Sequence, residues 1–148
     1  MHSNQKMSES LAVLATIDPI SQGAGTVTTG WVNAGNLQNL LAVIQTGIMG
    51  ASATVDAKLQ QATDSGGTGV KDVTGKAIVQ ILKAAGDNKQ ALLNAHTQDL
   101  DVSNGFNYVR LSITVGTAAS LISAALLGGN TRYEDAAQYN QAGVVQNV

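Results

Sequence analysis

Two histidines, His2 and His96, are the side chains best suited by type to acid–base chemistry or metal binding. A zinc site needs three or four converging ligands, and the sequence has no cysteine to join the histidines. A Ser-His-Asp arrangement would depend on His96, because His2 lies close to the N-terminus, and no Gly-x-Ser-x-Gly elbow accompanies it. The ten acidic residues offer no distinctive carboxylate pair. The sequence therefore predicts that the protein is not an enzyme and has no catalytic site, metal site or cofactor.

One glycine-containing stretch, residues 69–77, partly matches a phosphate-binding loop. The motif requires glycine five residues before Gly75, where the chain has Val70, and a hydroxyl residue after the lysine, where it has Ala77. Without that hydroxyl the loop lacks its magnesium ligand. The glycines of this region are better explained by loop flexibility, and no nucleotide site is predicted.

The acidic run that begins at Asp99 partly matches a calcium-binding loop. Its sixth position, where the loop requires glycine, is Asn104, and its twelfth position, which should carry a bidentate acid, is Arg110. An acidic loop before a turn is the favoured interpretation. A weak calcium site built from loop carbonyls is the alternative.

Charge is sparse in this sequence. Charged residues make up 12% of the chain, against about 25% in typical proteins, and residues 19–55 contain none. Because the net charge is −2 and the basic residues are scattered, neither nucleic acid nor an anionic membrane is a predicted partner. The composition fits either an exterior rich in Thr, Asn, Gln and Ser that hydrates well, or a surface that meets other protein.

The clearest structural pattern lies in residues 106–128. The apolar residues that alternate there with polar ones are Val109, Leu111, Ile113 and Val115. This period of two predicts a half-buried strand with Ser112 on its solvent face. The segment after Gly116 is apolar on both faces, which predicts a second strand buried on both sides. Residues 111–131 have the length of a membrane span, but their alternation, serines and threonines favour the strand pair, so no membrane is predicted.

Further strand patterns recur along the chain, separated by glycine-rich turns. They cover residues 26–33, 37–48, 53–64, 73–84 and 90–98. A helix is the alternative for 37–48 and for 73–84, and on the strand interpretation Ile48 shares a face with Ile44. Asp18-Pro19 and Asn104-Gly105 predict turns.

About seven or eight short strands predict an all-β, jelly-roll-like β-sandwich. The predicted organisation is a flexible N-terminal arm at residues 1–10, a single domain at residues 11–128 and an extended C-terminal tail at residues 129–148.

Several stretches together resemble small virion proteins of tailed bacteriophages, the capsid decoration (cement or minor capsid) family. These stretches are residues 30–33, 40–48, 53–64, 71–78, 107–116 and 132–133. The resemblance implies a β-sandwich subunit, often trimeric, that is made in the host cytoplasm and binds the major capsid protein on the outside of an icosahedral head. It brings no catalytic residues, and it implies that the two terminal arms tether the subunit to its neighbours.

Six residues are candidate contacts between subunits under this interpretation. They are Trp31, Arg132, Tyr133, Tyr139, Val144 and Val145. The alternative function is a carbohydrate-binding module of a phage tail or fibre, which would stack sugars on Trp31, Tyr108 or Tyr133. Trp31 also has a simpler interpretation, as an anchor in the core or at its rim.

Overall fold

A computed structural model describes residues 4–148 of the chain. In this part the strands are β1 (Leu11–Gln22), β2 (Gly25–Thr28), β3 (Val32–Asn33), β4 (Asn39–Met49), β5 (Thr54–Ala62), β6 (Lys71–Ala77), β7 (Ile81–Leu82), β8 (Gln90–His96), β9 (Tyr108–Gly116) and β10 (Ser120–Gly129). Two short helices, α1 (Met7–Ser10) and α2 (Lys83–Gly86), and 3-10 turns at Thr97–Asp99, Val102–Asn104 and Ala136–Tyr139 complete the described elements.

The strands form two antiparallel sheets. Sheet A has the strand order β1-β10-β4-β8, and sheet B has the order β2-β9-β5-β6, with β3 beside β9 and β7 beside β5. Strand β1 pairs with β10, β2 with β9, β4 with β8 and β5 with β6. This connectivity is that of one long hairpin rolled into two sheets, the jelly roll. The predicted all-β, jelly-roll-like sandwich is confirmed.

The core lies between the sheets and is built from aliphatic side chains. In β9 the predicted inner residues Val109, Leu111 and Ile113 are fully buried, because the pleat directs alternate side chains toward sheet A. Other fully buried side chains include Leu37, Ile44, Met49, Val55, Leu59, Val115 and Leu126. No aromatic side chain of residues 4–148 is among the buried core residues, so small branched groups fill the interior.

The prediction that the second strand of the pair is buried on both faces is wrong. In β10, Ile122 and Leu126 face the core, whereas Leu121 on the other side is 46% exposed. A two-layer sandwich covers only one face of each sheet, so the outward apolar residues of β10 have no layer above them.

The turn predicted at Asp18-Pro19 is also wrong, because β1 continues through both residues to Gln22. Its pairing with β10 is irregular between Ile17 and Ile20. This bulge accommodates a proline, which has no N–H to donate to a sheet, on an edge strand.

The segment at residues 37–48 forms a strand, β4, as predicted, but Ile48 does not face the core. Thr46 pairs with Ile122 and Met49 with Ser120, so β4 carries one extra residue at this point. The bulge reverses the alternation: Met49 is buried and Ile48 is 63% exposed.

The prediction of a single strand at residues 73–84 is correct only in part. Strand β6 overlaps this range and β7 lies within it, but the chain then forms the short helix α2. Gly75 adopts a positive φ of 73° inside a wide irregularity of the β5–β6 pairing, and β6 ends two residues later at Ala77.

Both ends of the described chain contact β1. α1 supplies a helical turn within the predicted N-terminal arm, and residues 1–3, including His2, lie outside the described residues. Within the predicted tail, Ala136 is fully buried against the sandwich. The Gln141 N–H then donates to the carbonyl oxygen of Val13 at 2.7 Å, which gives the exposed edge of β1 a partner. The middle of the tail is therefore anchored to the domain.

Candidate interaction surfaces

Trp31 is held by two neighbours near the outer face of sheet B. The Arg110 guanidinium lies over the indole ring, 4.5 Å from its centroid. Gly67 packs so closely on the indole that an added Cβ would lie 2.6 Å from Trp31 Nε1. Trp31 is therefore an anchor for the glycine-rich loop, and these contacts occupy surface that a stacked ligand would need.

The other five candidate contact residues lie on the C-terminal segment. The structure joins Arg132 and Tyr139 through Asn36: the Arg132 N–H donates to the Asn36 carbonyl oxygen at 2.9 Å, and Asn36 Nδ2 donates to the Tyr139 hydroxyl at 3.2 Å. Tyr139 also packs on the core. Tyr133 is 82% exposed, Val145 is 93% exposed and Val144 is half-buried. Trp31 thus lies near sheet B, whereas of these five Tyr139 belongs to the 3-10 turn that contacts β1.

The outer face of sheet B is polar and bonded to itself. Asp72 receives hydrogen bonds from Lys58 Nζ at 2.8 Å and from Gln60 Nε2 at 3.0 Å, and Arg110 Nε donates to Gln60 Oε1 at 3.0 Å. The Lys58 hydrogen bond, followed by that of Gln60, holds the pKa of Asp72 below its ordinary value. This network needs no partner from outside the chain.

Ser112 lies within this polar face, but it does not meet solvent as predicted. It is 4% exposed, and its direct neighbours across the sheet are Thr28 and Lys58. In the middle strand of a sheet, the longer side chains on both sides cover a short one. The alternation of apolar and polar residues predicted correctly that Ser112 lies on the outer side of β9, but the prediction that it is exposed to solvent is wrong.

The two stretches that partly match phosphate and calcium loops contact each other. Lys76 pairs with Asp99 at 3.0 Å, and Lys71 pairs with Asp101. The hydrogen bond from the His96 backbone N–H is the main cause of the lowered pKa of Asp99. The hydrogen bond from Lys71 is the main cause of the lowered pKa of Asp101. These carboxylates therefore have lysine partners within the chain and need no calcium ion to balance their charge.

The outer face of sheet A has the opposite character. Side chains that sit next to one another across the four strands form a cluster, which we call the apolar face: Val13, Leu41, Val43, Leu92, Ala125 and Leu127. Leu92 is 61% exposed and the other five are half-buried. The four strands of sheet A contain a single Asp, Glu, Lys or Arg, Asp18 near one edge. This surface is aliphatic at its centre and without charge, and Thr16 and Asn94 are polar members of the same cross-strand rows.

Uncharged polar side chains flank the apolar face along the strands. His96 and Asn39 pair across β8 and β4 at one end, where His96 Nδ1 lies 2.8 Å from Asn39 Oδ1. Gln45 and Gln90 pair at the other end. This arrangement, an apolar centre with a polar rim, is typical of protein interfaces.

A groove of about 610 Å³ lies where α1 borders the apolar face, and its walls include Met7, Leu41, Asn94, His96 and Leu127. His96 is the histidine that the sequence offered for chemistry, and it faces amides and aliphatic groups here. Within residues 4–148 no three or more His, Cys, Asp or Glu side chains are grouped to hold a metal ion.

The apolar face was not identified from the sequence, although a signal was present. Leucine doublets occur in three of its strands: Leu40-Leu41, Leu92-Leu93 and Leu126-Leu127. One leucine of each doublet enters the core and the other lies outside.

In residues 4–148 no helix is long and apolar enough to cross a bilayer, and residues 111–131 are mostly the strands β9 and β10.

Comparison with known proteins finds matches among solved structures alone. No protein-family model and no curated protein sequence matches this chain. Among solved structures, it is similar to one of Broad Bean Stain Virus, with 10% identity over 88% of each chain and a TM-score of 0.48. It is also similar to the infectious bursal disease virus Gx strain structure, with 12% identity, 86% of this chain covered and a TM-score of 0.47, but it spans only 34% of that chain.

A third similar structure is the CBM22-2 xylan-binding domain of Paenibacillus barcinonensis Xyn10C. Identity is 7% over 81% of this chain and 98% of that domain, with a TM-score of 0.42. Structures of viruses and of a xylan-binding domain both appear among the similar structures, and similarity at this level assigns no function to the chain.

Proposed function

We propose that the chain is a structural protein of a virus particle that binds the outside of an icosahedral phage capsid and stabilises it, as a decoration or minor capsid protein. Its partners in this proposal are the major capsid protein and further copies of itself. The role is binding without catalysis. The proposal takes its phage assignment from the sequence resemblance, and the surfaces described above support it.

The C-terminal segment carries the proposal. The chain has no charged residue after Asp135, and beyond Gln141, where the segment is bonded to β1, the side chains of Val145 and Val148 are almost fully exposed. An anchored base followed by uncharged, aliphatic residues suits insertion between the subunits of a larger assembly. Isolated exposed valines are common on proteins, but a series of them on one anchored segment is a candidate contact.

A decoration protein stabilises a shell by adding buried area between subunits that already touch. Each contact is modest, and many copies on one lattice sum to a large effect by the logic of multivalent binding. Small side chains suit this role, because little rotamer entropy is lost when they are immobilised. The low charge of the chain and its aliphatic composition fit such contacts.

Sedimentation with undecorated phage shells tests the proposal. The chain should pellet with the shells, and Val145→Asp should weaken binding by about tenfold or more, since the buried charge would have no partner. Val79→Asp is the matched control, because Val79 is 91% exposed and lies outside the C-terminal segment. A wild-type chain that stays in the supernatant, or equal effects of the two substitutions, would contradict the proposal.

A carbohydrate-binding module is the second candidate, and the exposed ring of Tyr133 is the observation that favours it. Jelly rolls also occur in lectins. Calorimetric titration with a glycan panel, using wild type and Tyr133→Ala, separates the two functions. Binding that depends on Tyr133 would support the module, and an absence of heat with every glycan would reject it.

A further inference from the structure

We infer that the apolar face of sheet A binds the same face of a second copy of this chain, forming a two-fold dimer in which the two A sheets stack. The inference deepens the proposed function, which includes association with copies of itself, by naming the surface and its occupant. It rests on the chemistry and dimensions of that face.

The first support is the absence of charge. In a two-fold contact every charged residue must meet an opposite charge of the partner or be buried unpaired, so a surface without charge is the simplest to match with a copy of itself. Sheet A meets this condition, since Asp18 is its one charged residue and lies on the edge strand β1. Asp18 also accepts a hydrogen bond from Thr16 Oγ1 at 3.1 Å within its own chain. The outer face of sheet B does not meet the condition, because Lys58, Asp72 and Arg110 are already bonded within the chain and would have to be desolvated in such a contact.

The second support is size. Four strands about 4.8 Å apart that share the seven-residue length of β8, at about 3.4 Å each, give a face of about 20 by 24 Å. Its projected area of roughly 480 Å² on each copy, increased by side-chain relief, approaches the ~1,000 Å² in total that a specific interface should bury. Two sheets stacked about 10 Å apart would bury it as the core of this sandwich is buried.

The third support is the shape of the contact. The face is one contiguous patch, and a single patch is covered by a copy of itself only about a two-fold axis. A three-fold ring would need two different patches that complement each other on every subunit. The geometry therefore points to a dimer in place of the trimer that the family resemblance implies.

Sedimentation equilibrium of the purified chain at micromolar concentrations tests the inference. Wild type should have twice the mass of the 15.1 kDa chain. Leu92→Lys should raise the dimer dissociation constant more than tenfold, because two lysines would be buried in one interface. Leu82→Lys, at an equally accessible leucine of β7 beside sheet B, should leave the dissociation constant unchanged.

Circular dichroism and thermal melting of both variants establish that they fold. A monomeric or trimeric wild type, or a folded Leu92→Lys chain that dimerises normally, would overturn the inference. The shell-binding experiment tests the proposed function separately from the dimer. A monomeric chain that pellets with shells would overturn only the dimer, and a dimeric chain that does not bind shells would overturn only the proposed function. Loss of shell binding by Leu92→Lys from a monomeric wild type would assign the face to the capsid protein and reject self-association.

Discussion

The outer faces of the two sheets follow the same strand geometry and carry different chemistry. Sheet A contributes one charged residue from its four strands, whereas β2, β9, β5 and β6 contribute six. Those six are Asp56, Lys58, Lys71, Asp72, Lys76 and Arg110. On sheet B the charges pair with neighbours in the same face or in adjoining loops. On sheet A the exposed side chains are uncharged apart from Asp18, with an aliphatic cluster at the centre.

The difference shows how a sandwich with one core presents two kinds of surface. Inward positions of both sheets are equally apolar, so the fold depends on them alike. Outward positions contribute less to folding and are free to serve other needs. Sheet B uses them for hydrogen bonds within the chain, whereas sheet A leaves apolar groups that gain by contact with another surface.

The largest effect should come from placing a charge in the shared core. Leu111→Asp should lower the free energy of unfolding by about 4 kcal/mol or more, since Leu111 is fully buried with no partner for a carboxylate. Urea denaturation measures the loss. Ser112→Asp is the neighbouring control and should cost about 1–2 kcal/mol, because Ser112 is buried but lies directly across from Lys58. Equal losses would mean that the two sides of β9 are not distinct.

A smaller effect should come from the polar face. Arg110→Ala should cost about 1 kcal/mol by removing the stacking on Trp31 and the bond to Gln60. The fluorescence of Trp31, the one tryptophan of the chain, should shift to longer wavelength as water reaches the ring. Arg132→Ala, at an exposed arginine, should leave stability and emission unchanged. An unaltered spectrum of Arg110→Ala would show that the stacking is not formed.

Acid should weaken the hydrogen-bonded network around Asp72 by a few tenths of a kcal/mol. The pKa of Asp72 is lowered in the folded state, so its contribution is complete above the unfolded-state pKa near 3.8 and is lost as pH falls through the folded-state pKa. Because the group is largely exposed, solvent screening keeps the contribution to less than about 0.5 kcal/mol. Melting curves of wild type and Asp72→Asn should differ above pH 4 and converge at lower pH. A difference that grows on acidification would contradict this sign.

The smallest effect on stability should come from a charge on the apolar face. Leu92→Lys should change the free energy of unfolding of the monomer by no more than about 0.5 kcal/mol, because Leu92 is mostly exposed on an edge strand, where lysine is well tolerated. Urea denaturation of dilute, monomeric protein measures it. A large loss would mean that the face supports the fold itself, and the contrast between the two sheets would then disappear.

Local pattern was a good guide wherever a strand follows regular alternation. The inner residues of β9 and the strand at residues 37–48 were predicted correctly, and so was the turn before β9, where Gly105 adopts a positive φ of 84° after Asn104. The failures at Pro19 and Ile48 both occur at bulges: in β1 the bulge lets the strand continue through a proline, and in β4 it reverses the alternation. The position of a bulge depends on the partner strand.

The candidate surfaces were harder to predict. Trp31 was recognised as an anchor or a platform, but its stacking with Arg110 depends on strand pairing between β3 and β9, which are far apart in sequence. The apolar residues after Gly116, which include Leu126-Leu127, predicted a strand buried on both faces. Apolar residues on both faces of a strand have the same pattern whether a third layer or a second molecule covers the outer side.

The sequence by itself determined the class of the fold, because period-two alternation and glycine turns act through local backbone geometry. It also determined that the surface would be poor in charge, which is a matter of composition. Only the tertiary structure decided that the charges gather around sheet B and leave sheet A bare. That separation depends on which strands become neighbours, and strand neighbours are chosen by packing between residues distant in the chain.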